Sequence, residues 1–134
     1  MHHLKAVIEY SGRNFAAYIE NLRNVISVGD TIDETKKNLK DAVDFYIESS
    51  KLDGDEIPEE LKGEYDILLK MDVKSFLTFY SGIFTKSALE RLTGINQKQL
   101  WHYAKGKSVP RRKQVQKIED ALHRLGRELN SLTF

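Results

Sequence analysis

The sequence predicts an α+β protein in two parts: a small three-strand, helix, strand layer over residues 1–71, then an all-α helix-turn-helix domain over residues 72–134. Three observations predict it. Residues 4–71 place strand-forming runs and turn residues on either side of one long amphipathic stretch. After Met71 short helical periods follow one another, separated by capping residues and glycine. The charge also divides at this point. The 134 residues carry 21 Lys and Arg against 20 Asp and Glu, a formal net charge of +1. Residues 1–71 hold 9 against 15, a balance of −6, and residues 72–134 hold 12 against 5, a balance of +7. An acidic part joined to a basic part predicts two modules with different partners, the basic one facing a polyanion.

The elements can be taken in order. LKAVIEY, residues 4–10, is rich in strand formers; Ser11, Gly12, Arg13 and Asn14 supply a turn, and FAAYI, residues 15–19, reads as the returning strand. A third short strand fits residues 25–28 and is broken by Gly29 and Asp30. Thr31, Ile32, Asp33 and Glu34 form a capping-box sequence, in which Thr31 can accept from the third helical N–H and Glu34 can reach back. The helix that follows puts Ile32, Leu39, Ala42, Val43, Tyr46 and Ile47 largely on one stripe and is expected to end at Ser49 and Ser50. Residues 51–64, with Gly54, Pro58 and Gly63, predict an acidic surface loop with one short helical turn. YDILLKM, residues 65–71, is the fourth strand.

In the basic part Asp72 is placed to cap a helix with the stripe Val73, Phe76, Leu77 and Tyr80, closed by Gly82. Thr85 caps a second helix carrying Ala88, Leu89 and Leu92. Thr93, Gly94 and Ile95 make a tight turn in which Gly94 needs a positive φ. Asn96 caps a third helix running through Ala104, with Gln99 at the reciprocal capping position. Gly106 ends it and Pro110 bars its continuation. From Arg111 a long helix runs to about Leu129, its stripe being Val115, Ile118, Leu122, Leu125, Leu129 and Leu132 at spacings of three and four.

Composition limits the function classes. Apolar residues make up 40 %, too many for a disordered chain. No apolar run has the length of a membrane helix, the first ten residues lack a signal-peptide pattern, and there is no cysteine; a cytoplasmic protein without thiol chemistry is expected. A metal on His102 would need partner ligands, but the next histidine, His123, falls on a different helix with no carboxylate cluster near it, so no metal and no cofactor is expected.

Two short helices joined by a three-residue, glycine-containing turn make a helix-turn-helix, whose second helix meets base edges in the major groove with its N-terminal end. Ile95 would plug the corner, and Leu100 and Tyr103 would face inward. Asn96 at the tip and Gln97, Lys98, Trp101, His102 and Lys105 are then presented outward. Gln and Asn suit adenine and Lys suits guanine, while Lys86 and the helix start can hold phosphates. Trp101 reads equally as core rim or as a DNA contact. Lys107, Arg111 and Arg112 extend the cationic surface, the two arginines opposing the dipole of the helix they begin unless an anion faces them. The stretch from Val73 to Leu129 resembles the lambda-repressor/Cro-like (Xre-type) helix-turn-helix family, the match lying in TKSALERLTGINQKQLWHYAKGKSVP, residues 85–110. Thr85, Leu89, Gly94, Ile95, Leu100, Tyr103, Gly106 and Pro110 carry it. Glu90 departs from it, standing where the family has a small Ala, which would turn the first helix towards Ala88 and Leu92. Such modules act as dimers on half-sites. Val115, Ile118 and Leu122 suit packing within the module, and Leu125, Leu129 and Leu132 are the candidates for a second copy.

In the acidic part, the three-strand, helix, strand order is similar to the ribonuclease H-like core. Nuclease chemistry of that kind needs several carboxylates converging on two metals; among Glu9, Glu20, Asp33, Glu34, Asp41 and Asp44 only Glu9 and Glu20 lie on or beside predicted strands, Asp33 and Glu34 having a capping role and the others a helix's solvent face. No enzymatic activity is expected. AVIEYSGRNFAAYIENLRNVISVGDTIDETKKNLKDAVDFYIESS, residues 6–50, resembles the N-terminal domain of HicB-type antitoxins, most clearly at Gly29-Asp30-Thr31-Ile32-Asp33-Glu34. It departs from the family at residues 20–24, where members often have Pro-Asp-Leu-Pro-Gly. The resemblance implies a degraded, non-catalytic ribonuclease H-like domain that neutralises a HicA-type mRNA-cleaving toxin, joined to a DNA-binding domain that represses its own operon. The partners it implies are operator double-stranded DNA, the toxin, and further copies of the chain. The alternative is a stand-alone regulator whose acidic domain serves oligomerisation or binds another partner.

Overall fold

Alternation of apolar and polar residues builds the sheet. The computed structural model describes residues 1–134 and divides into two compact units, residues 1–72 and 73–134. Together they make a mixed α+β chain with one four-stranded sheet and five α-helices. In the first unit β1 (His2–Tyr10), β2 (Phe15–Ile19), β3 (Ile26–Gly29) and β4 (Tyr65–Met71) lie in the order β3-β2-β1-β4. β1 is antiparallel to β2 and parallel to β4. The predicted bounds of β2 and β4 are those found, and β3 lies one residue later than expected. β1 begins two residues earlier because His2 and His3 pair with Tyr65 and Asp66. One sheet face buries Leu4, Ala6, Ile8, Phe15, Ala17, Ile19 and Ile67.

That face is covered by α1 (Ile32–Asp53), through Leu39 and Val43, and by Leu61 from a single 3-10 turn after Pro58. The junction between β3 and α1 is set by close packing. A Cβ on Gly29 would lie 2.6 Å from Thr35 Oγ1 and 2.8 Å from its backbone N, so only glycine fits there. Thr31 Oγ1 accepts from the Glu34 N–H at 3.0 Å, the first half of the predicted capping box. The buried Thr35 hydroxyl donates to Thr31 O at 2.7 Å, and Ser27 Oγ donates to Thr35 O at 2.9 Å. Ser49 and Ser50 do not end the helix. It continues to Asp53 and is capped by Gly54, whose N–H reaches Lys51 O and Ser50 O. Serine lowers helix propensity by only a few tenths of a kcal/mol, and Ser50 is buried, so tertiary packing carries the helix on to the first glycine.

The second unit is all helical: α2 (Val73–Phe79), a 3-10 turn at 80–82, α3 (Lys86–Thr93), α4 (Gln97–Lys105) and α5 (Arg112–Asn130). Its core is Leu77, Leu89, Ile95, Leu100, Tyr103 and Ile118, with Val73, Phe76, Phe84, Leu92 and Leu122 packed against it. Ala121, which the leucine stripe did not include, is also buried on α5. No helix in either unit is long and apolar enough to cross a membrane.

Candidate functional site

Helices α3 and α4 are joined by Gly94, Ile95 and Asn96. Gly94 takes φ 77°, a left-handed conformation that glycine adopts freely, and its N–H bonds to Glu90 O to close α3. Thr93 Oγ1 accepts from the Ile95 N–H at 3.1 Å, and Ile95 is buried in the corner. Thr85 caps α3 by accepting from Ala88 N at 3.0 Å, and Asn96 caps α4 by accepting from Lys98 N at 2.8 Å. Leu100 and Tyr103 anchor α4 in the core.

Glu90 has a role that the sequence reading missed. Its Oε1 accepts the Gln97 N–H at 2.7 Å, across the turn and seven residues along the chain. The first two amides of α4 are therefore satisfied within the chain, and a carboxylate sits at the helix start that was expected to hold a phosphate. Leu89, rather than Ala88 or Leu92, is the fully buried residue of α3. Half-buried Glu90 is accommodated because its head group reaches the positive end of α4. Gln99 does not cap α4 either; its Nε2 donates to Ser108 Oγ at 3.1 Å and ties the helix to the loop beyond it.

The residues expected on the outer surface fall as follows. Asn96, Gln97, Lys98, Trp101 and Lys105 are exposed along α4, and Lys107, Arg111 and Arg112 are exposed beyond it. His102 and Lys86 are half-buried. Trp101 is 40 % exposed, with Lys107 Nζ 4.4 Å and Lys105 Nζ 6.0 Å from its ring centroid and the His102 ring at 5.5 Å. Ammonium groups over an indole face are attracted by its quadrupole. In the acidic unit, by contrast, lysines meet carboxylates in the pairs Lys40–Asp44 at 3.4 Å and Lys62–Glu59 at 3.0 Å. Arg111 is the N-cap residue of α5 and provides no side-chain cap, and the first turn has no acidic residue. α5 therefore starts with cations where α3 and α4 have capping oxygens. Of the candidate dimer residues, Leu125 is half-buried, while Leu129 and Leu132 are 58 % and 56 % exposed.

In the acidic unit Lys36, Lys37 and Lys40 of α1 line a cleft with Asp33, Tyr65 and Asp66, so cations and carboxylates are mixed there. The sheet face away from α1 carries exposed Tyr18, Ile26, Val28 and Leu68. Register places Ile26, Tyr18, Val7 and Lys70 in one row across all four strands. Tyr18 donates to Glu9 Oε1 at 3.4 Å; desolvation first, and then the Glu9 charge, raise its phenol above the usual value. Tyr65 donates to Asp44, with Lys40 over its ring, and burial followed by this carboxylate holds its phenol well above the usual value. No group of three His, Asp or Glu side chains is placed to hold a metal ion. In comparisons with protein-family models, curated proteins and solved structures, the chain matches none of them.

Proposed function

We propose that the chain is a non-catalytic antitoxin of the HicB type. In this reading its basic unit is a helix-turn-helix module that binds operator DNA and represses its own operon, and its acidic unit binds and neutralises a small basic HicA-type toxin. The observation that carries the proposal is the outer surface of α4. A helix locked in place by Ile95, Leu100 and Tyr103 exposes Asn96, Gln97, Lys98, Trp101 and Lys105, with Lys107, Arg111 and Arg112 exposed beyond it. Amide side chains that can pair with adenine and lysines that can pair with guanine, carried on a fixed helix start, suit direct readout of the major groove. The uncapped, cationic start of α5 supports phosphate contact by Arg111 and Arg112. The sheet order β3-β2-β1-β4, with β1 parallel to β4 and one helix on a single face, is in keeping with a degraded ribonuclease H-like domain. The surplus of carboxylates in residues 1–71 suits a basic protein partner. The uncovered apolar sheet face gives that partner, or a second copy of the chain, something to bury.

Two measurements test the two halves of the proposal. DNA affinity is expected to fall with salt at a log–log slope of about −0.9 per neutralised phosphate. Lys98→Ala or Gln97→Ala should weaken a selected site by about 1–3 kcal/mol. A salt-independent complex, or no complex, refutes the DNA reading. For the acidic unit, co-expression with the product of an adjacent small reading frame should relieve that product's toxicity and recover a stable complex. Toxicity that persists when the chain is present at equal level refutes the antitoxin reading and leaves a stand-alone regulator.

A further inference from the structure

We infer that Trp101 reads a thymine: the edge of its indole packs on a thymine 5-methyl group in the major groove, close to the base met by Gln97. The inference rests on the DNA-binding reading above and adds the chemical group recognised. Gln97, Trp101 and Lys105 follow one another at spacings of four, so they share a stripe of α4. If Gln97 enters the groove, Trp101 faces the same groove one turn along. Four residues advance a helix by about 6 Å, and base pairs are spaced about 3.4 Å apart, so the two contacts fall within about two base pairs of each other.

The chemistry of the groove narrows the target. Base edges there present nitrogen and oxygen donors and acceptors, with one apolar exception, the thymine methyl. An indole that is 40 % exposed has a single donor, its N–H, to offer a polar edge, and the rest of its surface is apolar and buries well on a methyl group. Its face is already engaged by Lys107 Nζ at 4.4 Å, and the His102 ring lies 5.5 Å away, so the ring offers its edge in preference to an open stacking face. Lys105 and Lys107 have their ammonium groups 6.0 and 4.4 Å from the ring centroid, so a Trp101 in the groove would bring both near the phosphates that border it. The arrangement combines an apolar reader with cations that hold it against a polyanion.

The test uses the full chain and a duplex selected by it from a random pool. Each dT is replaced singly by dU, which removes one methyl and keeps the base pairing. One replacement should weaken binding about fourfold, the factor for one buried methyl group. It should lie within about two base pairs of the position whose sequence preference is lost in Gln97→Ala. Trp101→Ala, checked for native helix content, should bind the dT and dU duplexes equally, and Trp101→Phe should keep part of the discrimination. Equal binding of every dU duplex by the unsubstituted chain overturns the inference while leaving DNA binding intact, as does undiminished discrimination in Trp101→Ala. Failure to select any duplex instead overturns the DNA-binding reading, and this inference with it.

Discussion

The two units differ in what holds them together and in what they display. In residues 1–72 twelve buried apolar side chains lie between a sheet and one long helix, and the strands satisfy one another's backbone. In residues 73–134 the core consists of six, and the two short helices α3 and α4 start on side-chain acceptors: Thr85 for α3, and Asn96 with Glu90 for α4. The larger core supports a sheet whose other face exposes Tyr18, Ile26, Val28 and Leu68 among charged side chains such as Glu9 and Lys70. The smaller core supports a surface of amides and cations on α4 and at the start of α5. A thin core is sufficient when the exposed helix is short, capped and anchored at three points. It also means that each anchor carries a larger share of the unit's stability.

The comparison breaks most visibly at those anchors. Leu100→Ala, at a fully buried position, should cost about 2–5 kcal/mol, a large fraction of what a unit of this size has to lose. Denaturant unfolding followed by circular dichroism should show an early transition for the helical unit and an unmoved one for the sheet unit. A single shifted transition would contradict the independence of the two cores. In the sheet unit the corresponding weak point is polar. Gly29→Ala forces a Cβ against Thr35 Oγ1 and N and should cost about 1–3 kcal/mol, read as a lower midpoint for that unit alone. Adding Thr35→Ala should recover only part of the loss, because the backbone contact remains.

A smaller effect sharpens the contrast between stability and surface. Glu90→Ala removes an acceptor from the start of α4 and should destabilise the helical unit by about 1 kcal/mol. It also removes a negative charge beside the helix start proposed to meet DNA, so on that reading DNA affinity at low salt should rise by a factor of about two to five. Weaker DNA binding accompanying the lost stability would show that Glu90 serves the helix start alone. The smallest effect concerns Tyr65. Its folded phenol keeps its proton above the ordinary pKa of 10.0, so the native state binds that proton more tightly than the unfolded chain does. The contribution is complete below about pH 10 and is lost as pH rises through the raised value. Tyr65→Phe should cost below about 1 kcal/mol at neutral pH and flatten the alkaline decline of the sheet unit in a pH series of melting temperatures.

Most of the fold was legible because it is local. Strands β2 and β4 follow from runs of strand formers between turn residues, and the caps Thr31, Thr85 and Asn96 were read from their spacing to the helices they begin. The misreadings come from contacts between residues far apart in sequence. The start of β1 is fixed by β4, and the extension of α1 past Ser50 by burial of that serine. Glu90 looked like a departure from a helix-packing pattern because its partner, the Gln97 amide, belongs to the next helix. On the candidate surface, residue types and helical spacing identified the outer side of α4. The half-burial of His102 and the lysines over Trp101 depend on rotamers and on the loop after α4, which no spacing rule supplies.

The pairing of β1 with β4 has a consequence for the order of folding. His2 meets Tyr65 and Ile8 meets Met71, so β1 waits for the last strand of its sheet before its ladder is complete. Long-range parallel pairing of this kind folds on the order of milliseconds to seconds, whereas contacts among neighbouring helices form in microseconds to milliseconds. During synthesis the acidic unit is therefore expected to close more slowly than the helical unit although it precedes it in the chain, and the edge of β1 that takes β4 lacks its partner until residues 65–71 are made.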